Sequence, residues 1–536
     1  MFQVLRRSIH NTYFMVHVSR FKIQDRGFTL VELILYVALV GILLTAGAIF
    51  AGDVVLGSVK GRVRARVQSE ARFTIEKMRQ EIVRTKSIES SVIITGGDDN
   101  GNTTYGFASA ELYSDINNSW SLGNSLNIGR SRHTMTALSS GKVLIAGGND
   151  EWDSDILADT ELYDPVKELG IWSKSGLMNV PRRDHTATRL SDGRVLVAGG
   201  LNWSDGYLNN AEIYNPDAGV WNLTNSLSIK RNKHYSVLLA DGQVLIAGGT
   251  TTGGVYLNSS EIYNPATGNW TFGGNFTTAR IGATIVPLNT GNILLIGGYN
   301  GNSLSSTQIY TPGSGWSNGP SLGTARRSHT ATILKDGRVL VVGGRNSAGS
   351  QLASSEIYDQ VSNTWNPASS LQTARDNHTA TLLPDGRVLV TSGFTSPNTF
   401  IPSSELYDPG SGNWNPTDSI TNPRSGHIAA IISRCRFLFA DNITHLSFNI
   451  NGNGSSQNTL QMCTKSGSAC DSADSWTNLT SPDVEVTNFT CTNISSGTSL
   501  GEEAVKINMT LKNKNPGGKK EFDAEATIET SISLRL

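Results

Sequence analysis

One carboxylate lies inside the longest apolar run of this 536-residue sequence. The run from Phe28 to Gly52 contains Glu32 and no other charged side chain. An intramembrane carboxylate costs several kcal/mol unless it is paired, so residues of this kind generally serve a function. Glu32 is therefore a candidate functional residue that needs a positively charged partner.

A histidine that recurs at one position of an internal repeat is the second set that could do chemistry. Its copies are His133, His185, His234, His329, His378 and His427. Six histidines around an axis could hold a metal ion, but a residue present in nearly every copy is better explained by a hydrogen bond where a strand begins. One copy carries Arg280-Ile281-Gly282 instead, which argues further against a ring-wide site. The sequence predicts no metal site and no cofactor.

Aromatic side chains in the variable loops of the repeat are the candidate ligand-binding residues. They are Trp152, Trp203, Tyr207, Tyr256, Tyr299 and Phe394, and the acids Asp150, Asp153, Asp155 and Asp205 lie beside them. Loops on a rigid scaffold commonly carry binding sites, and aromatics beside acids suit a glycan or protein ligand. Calcium on the aspartates is a weaker alternative because the spacing of an EF-hand is absent. Plain solvated loops also remain open.

These loops belong to a unit that occurs seven times. Glycine pairs or their equivalents recur from Gly96-Gly97 to Ser392-Gly393, and tryptophans follow from Trp120 to Trp414 at separations of 46 to 52 residues. Each copy predicts four short strands, and the second, as in RVLVAGG, is apolar enough to be buried on both faces. One such sheet cannot bury its faces alone. Radial stacking of seven predicts a mainly β protein with a seven-bladed propeller.

The two ends of the repeat predict how the ring closes. The chain enters at VIITGG, a second strand with no first strand before it, and leaves through Gly426 to Ser433, a first strand with no successor. Together they complete one blade, so the two connections should lie on adjacent strands about 5 Å apart. A propeller closed in this way can be inserted into another domain.

The repeat resembles kelch repeats, and its DGRVLVAGG…AEIYNP…W form is most similar to the central domain of the galactose oxidase family. The resemblance covers about Val92 to Ser433. The radical-copper centre of that family implies a cysteine cross-linked to a tyrosine, and this propeller contains no cysteine. His234-Tyr235 is a lone suggestive pair, better explained by packing. We therefore do not expect oxidase chemistry.

The amino-terminal segment is long enough to cross a bilayer. Phe28 to Gly52 would form about 37 Å of helix, against a hydrocarbon core of about 30 Å. Arg20, Lys22 and Arg26 precede Gly27, so the candidate cleavage site comes before the apolar run rather than after it.

This arrangement, with GFTLVE at its start, resembles the leader of type IV prepilins and pseudopilins. The resemblance implies that a prepilin peptidase cuts after Gly27, that Phe28 becomes the methylated terminus, and that Glu32 pairs with the terminal amine of a neighbouring pilin subunit. The leader has 27 residues from Met1 and would be shorter from Met15, so the start codon stays open.

Beyond Gly52 the helix is predicted to continue through about Ile88, with its apolar face at Val59, Val63, Val67, Ile75, Met78 and Ile82. This stretch is basic, which fits a solvated helix beside a membrane better than a nucleic-acid site.

All four cysteines follow the propeller: Cys435, Cys463, Cys470 and Cys491. Their number and confinement favour disulfides in an exported protein. Cys463–Cys470 with Cys435–Cys491 is the favoured pairing, and zinc is the weaker alternative because no paired CxxC halves occur. The segments 444–450, 484–490, 506–513 and 523–536 predict strands, and the region loosely resembles the head of minor pilins.

The predicted organisation is therefore a leader (1–27), a stem helix (28–90), the propeller (91–433) and a β head (434–536). The favoured function is a minor pilin or pseudopilin of a type IV pilus-like or secretion filament. It would be held in the bacterial cytoplasmic membrane and then displayed at the cell surface, where the propeller serves adhesion from a position at the filament tip. The alternative is a membrane-tethered enzyme acting on carbohydrate. An intracellular kelch adaptor conflicts with the apolar helix.

Overall fold

A computed structural model of the chain describes residues 62–78, 85–98, 106–115, 117–150, 155–165, 170–396, 399–439, 444–451, 459–466, 477–480, 484–493, 504–513 and 525–533. The leader, the apolar run with Glu32, Trp152 and Cys470 lie outside the described residues. Within the described part of the chain, no helix is both long and apolar enough to span a bilayer.

The main body of the protein is a ring of seven four-stranded antiparallel sheets. Blades 1 to 4 are built from the following strands, in chain order: β1 (Thr85–Thr95), β2 (Ala110–Ser114), β3 (Ser119–Leu122), β4 (Arg130–Ser131), β5 (Thr134–Ala137), β6 (Val143–Ala146), β7 (Asn149–Asp150), β8 (Thr160–Asp164), β9 (Ile171–Lys174), β10 (Thr186–Arg189), β11 (Val195–Ala198), β12 (Leu201–Asn202), β13 (Gly206–Tyr207), β14 (Ala211–Asn215), β15 (Val220–Thr224), β16 (Tyr235–Leu238), β17 (Val244–Ala247), β18 (Thr250–Thr251), β19 (Val255–Tyr256), β20 (Ser259–Asn264) and β21 (Asn269–Asn275), with a 3-10 turn at Thr252–Gly254.

Blades 5 to 7 and the remainder of the chain follow the same pattern and then leave it. Their strands are β22 (Thr284–Pro287), β23 (Ile293–Ile296), β24 (Thr307–Thr311), β25 (Gly315–Asn318), β26 (Thr330–Ile333), β27 (Val339–Val342), β28 (Ser355–Asp359), β29 (Thr364–Ala368), β30 (Thr379–Leu382), β31 (Val388–Thr391), β32 (Phe394–Thr395), β33 (Thr399–Phe400), β34 (Ser404–Asp408), β35 (Asn413–Thr417), β36 (Ile428–Phe439), β37 (Thr444–Asn451), β38 (Thr459–Ser466), β39 (Thr477–Asn478), β40 (Val484–Asn493), β41 (Ala504–Asn513) and β42 (Glu525–Ser533).

The second strand of each blade forms the apolar core between blades. In β11, for example, Val195, Leu196, Val197 and Ala198 are all buried, and the same holds for its counterparts in blades 2 and 4 to 7. Side chains of successive strand residues point to opposite faces. A strand buried along its whole length therefore has a blade packed against each face, as the continuous apolar runs predicted.

Each blade also carries a tyrosine on its third strand packed against a tryptophan on its fourth. Tyr214 and Trp221 occupy directly opposed positions, with ring centroids 5.0 Å apart and a tilted geometry. The Tyr214 hydroxyl shares a 2.7 Å hydrogen bond with the Ser175 hydroxyl of the preceding blade. The recurrent aromatic pair thus packs within its own blade and bonds across to the neighbour.

Blade 1 closes the ring with strands from both ends of the propeller, which confirms the predicted closure. β36 is antiparallel to β1, with Val92 opposite Ile431 and Thr95 opposite Ile428. Both strands then continue beyond the disc, where Ile88 is opposite Phe437 and β37 pairs with the outer part of β36. The sheet order β3-β2-β1-β36-β37-β38-β39 therefore runs without a break from the propeller into the carboxyl-terminal domain.

The stem helix is described from residue 62 to residue 78 and buries one face. Val67, Ala71, Thr74, Ile75 and Met78 are buried at helical spacing. The Thr74 hydroxyl donates to the carbonyl of Leu479 at 3.3 Å, 405 residues away in sequence. This contact joins the helix to the carboxyl-terminal domain.

The helix does not continue through Ile88 as predicted. Thr85 already belongs to β1, where it lies opposite Phe439 of β36. Pairing with β36 satisfies the backbone groups of 85–88 and overrides the local helical pattern, since backbone amides and carbonyls must find partners.

The carboxyl-terminal strands agree with the predicted segments. β40, β41 and β42 form a three-stranded antiparallel sheet, and β37, β38 and β39 extend the blade 1 sheet. Ile507, Met509 and Leu511 alternate along β41 and are fully buried, so one face of this sheet is covered. The cysteine side chains lie outside the described part of the molecule, and the disulfide pairing stays a prediction.

Candidate functional site

The candidate ligand-binding surface is the face of the propeller where second strands end and first strands begin. We call it the loop face. At this face the chain turns outward through glycines in the left-handed region, such as Gly199 (φ 60°) and Gly200 (φ 102°). A Cβ on Gly199 would lie 2.5 Å from the carbonyl oxygen of Arg231, so the turn has no room for a side chain.

Directly after each turn, one residue pairs with the residue that precedes the first strand of the same blade. We call these seven antiparallel pairs the mouth ring. In order they are Asp98–Ser425, Asn149–Ser131, Leu201–Arg183, Thr250–Asn232, Tyr299–Ile281, Arg345–Arg327 and Phe394–Asp376. Every position of the ring differs in residue type between most blades. The mouth ring is thus where an otherwise repetitive scaffold becomes individual.

The structure places the predicted aromatic residues on the loop face but brings only some of them together. Trp203 lies in the turn between β12 and β13 and is 59% exposed. Tyr207 is half-buried on β13. Tyr256 and Tyr299 come from adjacent blades and meet edge to face, with ring centroids 6.1 Å apart. Phe394 packs edge to face on Phe400 of the same hairpin, at 5.1 Å.

Sequence reasoning missed the arginines that accompany these rings. The guanidinium of Arg183 lies 4.5 Å from the ring centroid of Trp203, and that of Arg327 lies 4.2 Å from Tyr299. Arg345 lies 5.6 Å from Phe394. Stacking of this kind holds a guanidinium in place while its edges remain available for hydrogen bonds. The signal in the sequence was the residue after each recurrent arginine, which changes from blade to blade.

Asp376 is the buried acid of the mouth ring. Its side chain is 2% exposed, and its Oδ2 accepts a hydrogen bond from Arg345 Nε at 2.8 Å. Burial raises the pKa of Asp376, and the charge of Arg345 offsets part of that rise. This ion pair joins blade 6 to blade 7 on the loop face.

Beneath the mouth ring, a recurrent arginine and a recurrent glutamate form a buried ion pair in six blades. Arg182 Nη2 donates to Glu212 Oε1 at 2.7 Å, both side chains being fully buried. The other pairs are Arg130–Glu161, Arg231–Glu261, Arg326–Glu356, Arg375–Glu405 and Arg424–Glu111. Arg182 also donates to the carbonyls of Gly199 and Asn210. These pairs tie each crossover segment to its blade, which is a structural role.

Blade 5 departs from this pattern because Gln308 replaces the glutamate. Arg280 is fully buried and donates to the carbonyls of Thr278, Gly297 and Ser306 and to the Ser306 hydroxyl. Burial lowers its pKa to about 10. Blade 5 therefore contains a buried cation that dipoles rather than a carboxylate stabilise.

The recurrent histidines link blades to one another, as the structural interpretation predicted. His234 Nε2 shares a 2.8 Å hydrogen bond with the Thr186 hydroxyl of the preceding blade, and His185, His329, His378 and His427 make the corresponding contact. Burial lowers the pKa of His234 to about 3. These rings are neutral supports between blades.

Among the described residues, no group of three or more histidine, cysteine or acidic side chains could hold a metal ion. The aspartates proposed for calcium are divided between two blades. The carboxylate of Asp150 accepts the backbone amide of Asp155, and Asp205 accepts from the Asn202 side chain. Asp153 lies outside the described residues.

Comparisons with known proteins agree with this architecture. The kelch motif matches residues 182–228, 231–277 and 326–372, and the prokaryotic N-terminal methylation motif matches residues 23–48. No curated protein sequence matches the chain.

Two solved structures illustrate the similarity of fold. The structure of YjhT is 16% identical, with a TM-score of 0.43 over 54% of this chain and 98% of that one. A copper-bound fungal alcohol oxidase of the AA5 family is 15% identical, with a TM-score of 0.47 over 76% of this chain and 90% of that one. The chain is thus a prepilin-like protein, with an N-terminal methylation motif and a seven-bladed kelch propeller inserted ahead of its carboxyl-terminal β domain.

Proposed function

We propose that this protein is a minor pilin or pseudopilin that displays its propeller outside the cell to bind an extracellular ligand. The observation that carries the proposal is the presence of both parts in one chain: a methylation motif at residues 23–48 and a propeller joined through blade 1 to the domain that packs on the stem helix.

In this proposal a prepilin peptidase cleaves after Gly27, and Phe28 becomes the methylated amino terminus. The protein resides in the bacterial cytoplasmic membrane until other pilin subunits incorporate it into a filament. Glu32 then pairs with the amino terminus of a neighbouring subunit, which neutralises a carboxylate that would otherwise be costly in the membrane. We place the subunit at the filament tip, because a disc of seven blades beside the head would obstruct subunits packed above it.

The loop face is the proposed ligand-binding surface. Rigid blades hold its aromatic residues, and Trp203 is more than half exposed. An exposed tryptophan on an ordered hairpin offers a large apolar contact at little entropic cost. An extracellular glycan or protein would be bound here, which gives the filament an adhesive function.

The test uses the native host and two variants. Glu32→Ala should leave membrane insertion intact and reduce incorporation into filaments, measured on sheared filaments with an antibody against the propeller. Mass spectrometry of the mature protein should find methylated Phe28 at its terminus. Normal incorporation of Glu32→Ala, or an uncleaved leader in the assembled protein, would contradict the pilin role.

A separate measurement addresses the loop face. Trp203→Ala and Tyr207→Ala should weaken adhesion of cells that display normal amounts of the filament. Unchanged adhesion would move the ligand site away from blade 3.

A further inference from the structure

The mouth ring contains two arginines at directly opposed positions in blade 6. The backbone amide of Arg327 donates to the carbonyl of Arg345 at 3.1 Å, and the amide of Arg345 donates back at 2.8 Å. Opposed residues of an antiparallel pair carry their side chains on the same side, and like charges at such positions are destabilising. This arrangement therefore calls for an anionic partner.

Asp376 supplies only one of the two negative charges that the arginines need. Its carboxylate is bonded to Arg345 Nε. Arg327 contacts the ring of Tyr299, and its guanidinium makes no hydrogen bond or ion pair with any residue in the described part of the chain. The charge on Arg327 is therefore not matched within the described part of the propeller.

The surrounding loops add no compensating charge. The loop-face segments of blades 5 to 7 are 299–306, 319–328, 345–354, 369–377 and 394–403, and they contain five charged residues: Arg326, Arg327, Arg345, Arg375 and Asp376. Arg326 and Arg375 are buried in ion pairs with the glutamates of their own blades. Two arginines and one aspartate remain, which leaves this sector with one excess positive charge.

The same sector has the composition of a carbohydrate site. Serine, asparagine, threonine and glycine dominate its loops, which suits hydrogen bonding to hydroxyl groups. Tyr256 and Tyr299 flank the arginine pair on one side, and Phe394 and Phe400 flank it on the other. Guanidinium groups recognise carboxylates through two parallel hydrogen bonds, and Arg345 and Arg327 are both held against aromatic rings.

We propose that the opposed arginines Arg327 and Arg345 bind the carboxylate groups of an acidic polysaccharide on the sector of the loop face formed by blades 5 to 7. This inference rests on the proposed function, because it assumes that the loop face is the displayed binding surface. A polypeptide rich in carboxylates offers the same charge without sugar rings, and the test includes it as an outcome.

The test measures binding of the leader-processed, full-length protein to polygalacturonate, with fully methyl-esterified polygalacturonate and polyglutamate as comparison ligands. We expect saturable binding to polygalacturonate, at least tenfold weaker binding to the ester, and weaker binding to polyglutamate. Arg327→Gln should reduce affinity for polygalacturonate at least tenfold. Arg327→Lys should have an intermediate affinity, because it keeps the charge and loses the bidentate geometry.

Arg194→Gln is the matched control. It removes an arginine that pairs with Asp192 in the exposed hairpin at the opposite face of blade 3, and its affinity should equal that of the unmodified protein. Circular dichroism and thermal midpoints should show that all three variants are folded.

Several results would overturn the inference. They are no binding to polygalacturonate, equal binding to the acid and its ester, equal effects of Arg327→Gln and Arg194→Gln, or tighter binding to polyglutamate. Filament incorporation is measured separately on the same proteins. Normal incorporation without polygalacturonate binding would reject the ligand class and leave the pilin role standing, whereas failed incorporation would reject the pilin role.

Discussion

The hydroxyl of Tyr235 accepts a hydrogen bond from the backbone amide of Ala283 at 2.8 Å. This contact occupies the place of the threonine–histidine pair found between most other blades. Ala283 stands where a histidine stands in the other six blades, and Tyr235 stands where blades 2 and 3 have threonine. A large side chain on blade 4 thus fills the space that a missing imidazole leaves on blade 5.

We expect Tyr235 and Ala283 to be energetically coupled. Tyr235→Thr should destabilise the propeller by about 3 kcal/mol because it leaves a cavity, and Ala283→His by about 2 kcal/mol because it overpacks the same space. The double variant should regain much of the loss by restoring the usual pair. Urea denaturation of the four proteins measures the coupling, and strictly additive losses would refute it.

The buried ion pairs can be tested by exchanging residues between blades. Glu212→Gln should lower the free energy of unfolding by about 3 kcal/mol, because Arg182 would lose its counterion within the core. Gln308→Glu should raise the thermal midpoint, because Arg280 would gain the carboxylate that the other blades have. A destabilised Gln308→Glu protein would show that blade 5 is adapted to the amide.

The blade closure leaves His133 with a different environment from the other histidines. Ile428 takes the place of the threonine, and neither ring nitrogen of His133 has a hydrogen-bond partner within the described residues. Ile428→Thr should therefore stabilise the protein by about 1 kcal/mol, the usual net gain from one hydrogen bond.

The reciprocal variant, Thr284→Val, removes the partner of His329 and should cost a similar amount. Thermal midpoints measured side by side would decide the point, and a loss of stability in Ile428→Thr would contradict this prediction.

Stability should fall steeply in mild acid. Burial lowers the pKa of His133, His234, His329 and His427 to about 3, against about 6.5 in an unfolded chain. Between these values the unfolded chain binds more protons, so the stabilisation is complete above pH 6.5 and is lost as the pH falls toward 3. Each histidine should contribute about 1.4 kcal/mol per pH unit in that range.

Urea midpoints at pH 7.5, 6.5, 5.5 and 4.5 test this expectation. His329→Gln should reduce the proton uptake on unfolding by about one, and a flat profile from pH 6.5 to 4.5 would contradict the neutral, buried state of these rings.

The propeller and its closure were predictable because the signals for them are local and repeated. A turn such as Asp192-Gly193 and the apolar strand after it state the hairpin directly, and seven copies state the blade count. The missing first strand before Val92 revealed the composite blade.

The buried pairs and the arginine–aromatic stacks were not predictable in the same way. Arg182 and Glu212 are 30 residues apart, and only the fold brings their side chains together. Recurrence marked both positions, since each tyrosine follows an acid or amide by two residues, but it did not say that the two positions touch. Arg327 and Tyr299 belong to different blades, so their contact depends on the angle between neighbouring sheets.

The paired strands β1 and β36 make the disc a removable cassette. Ile88 lies opposite Phe437 at the base of the disc, so the chain leaves and rejoins the carboxyl-terminal domain at one point. A short turn placed there would excise all seven blades and preserve the pilin-like remainder. A domain whose ends lie on neighbouring antiparallel strands could be grafted at the same junction, which would give one filament scaffold many exchangeable heads.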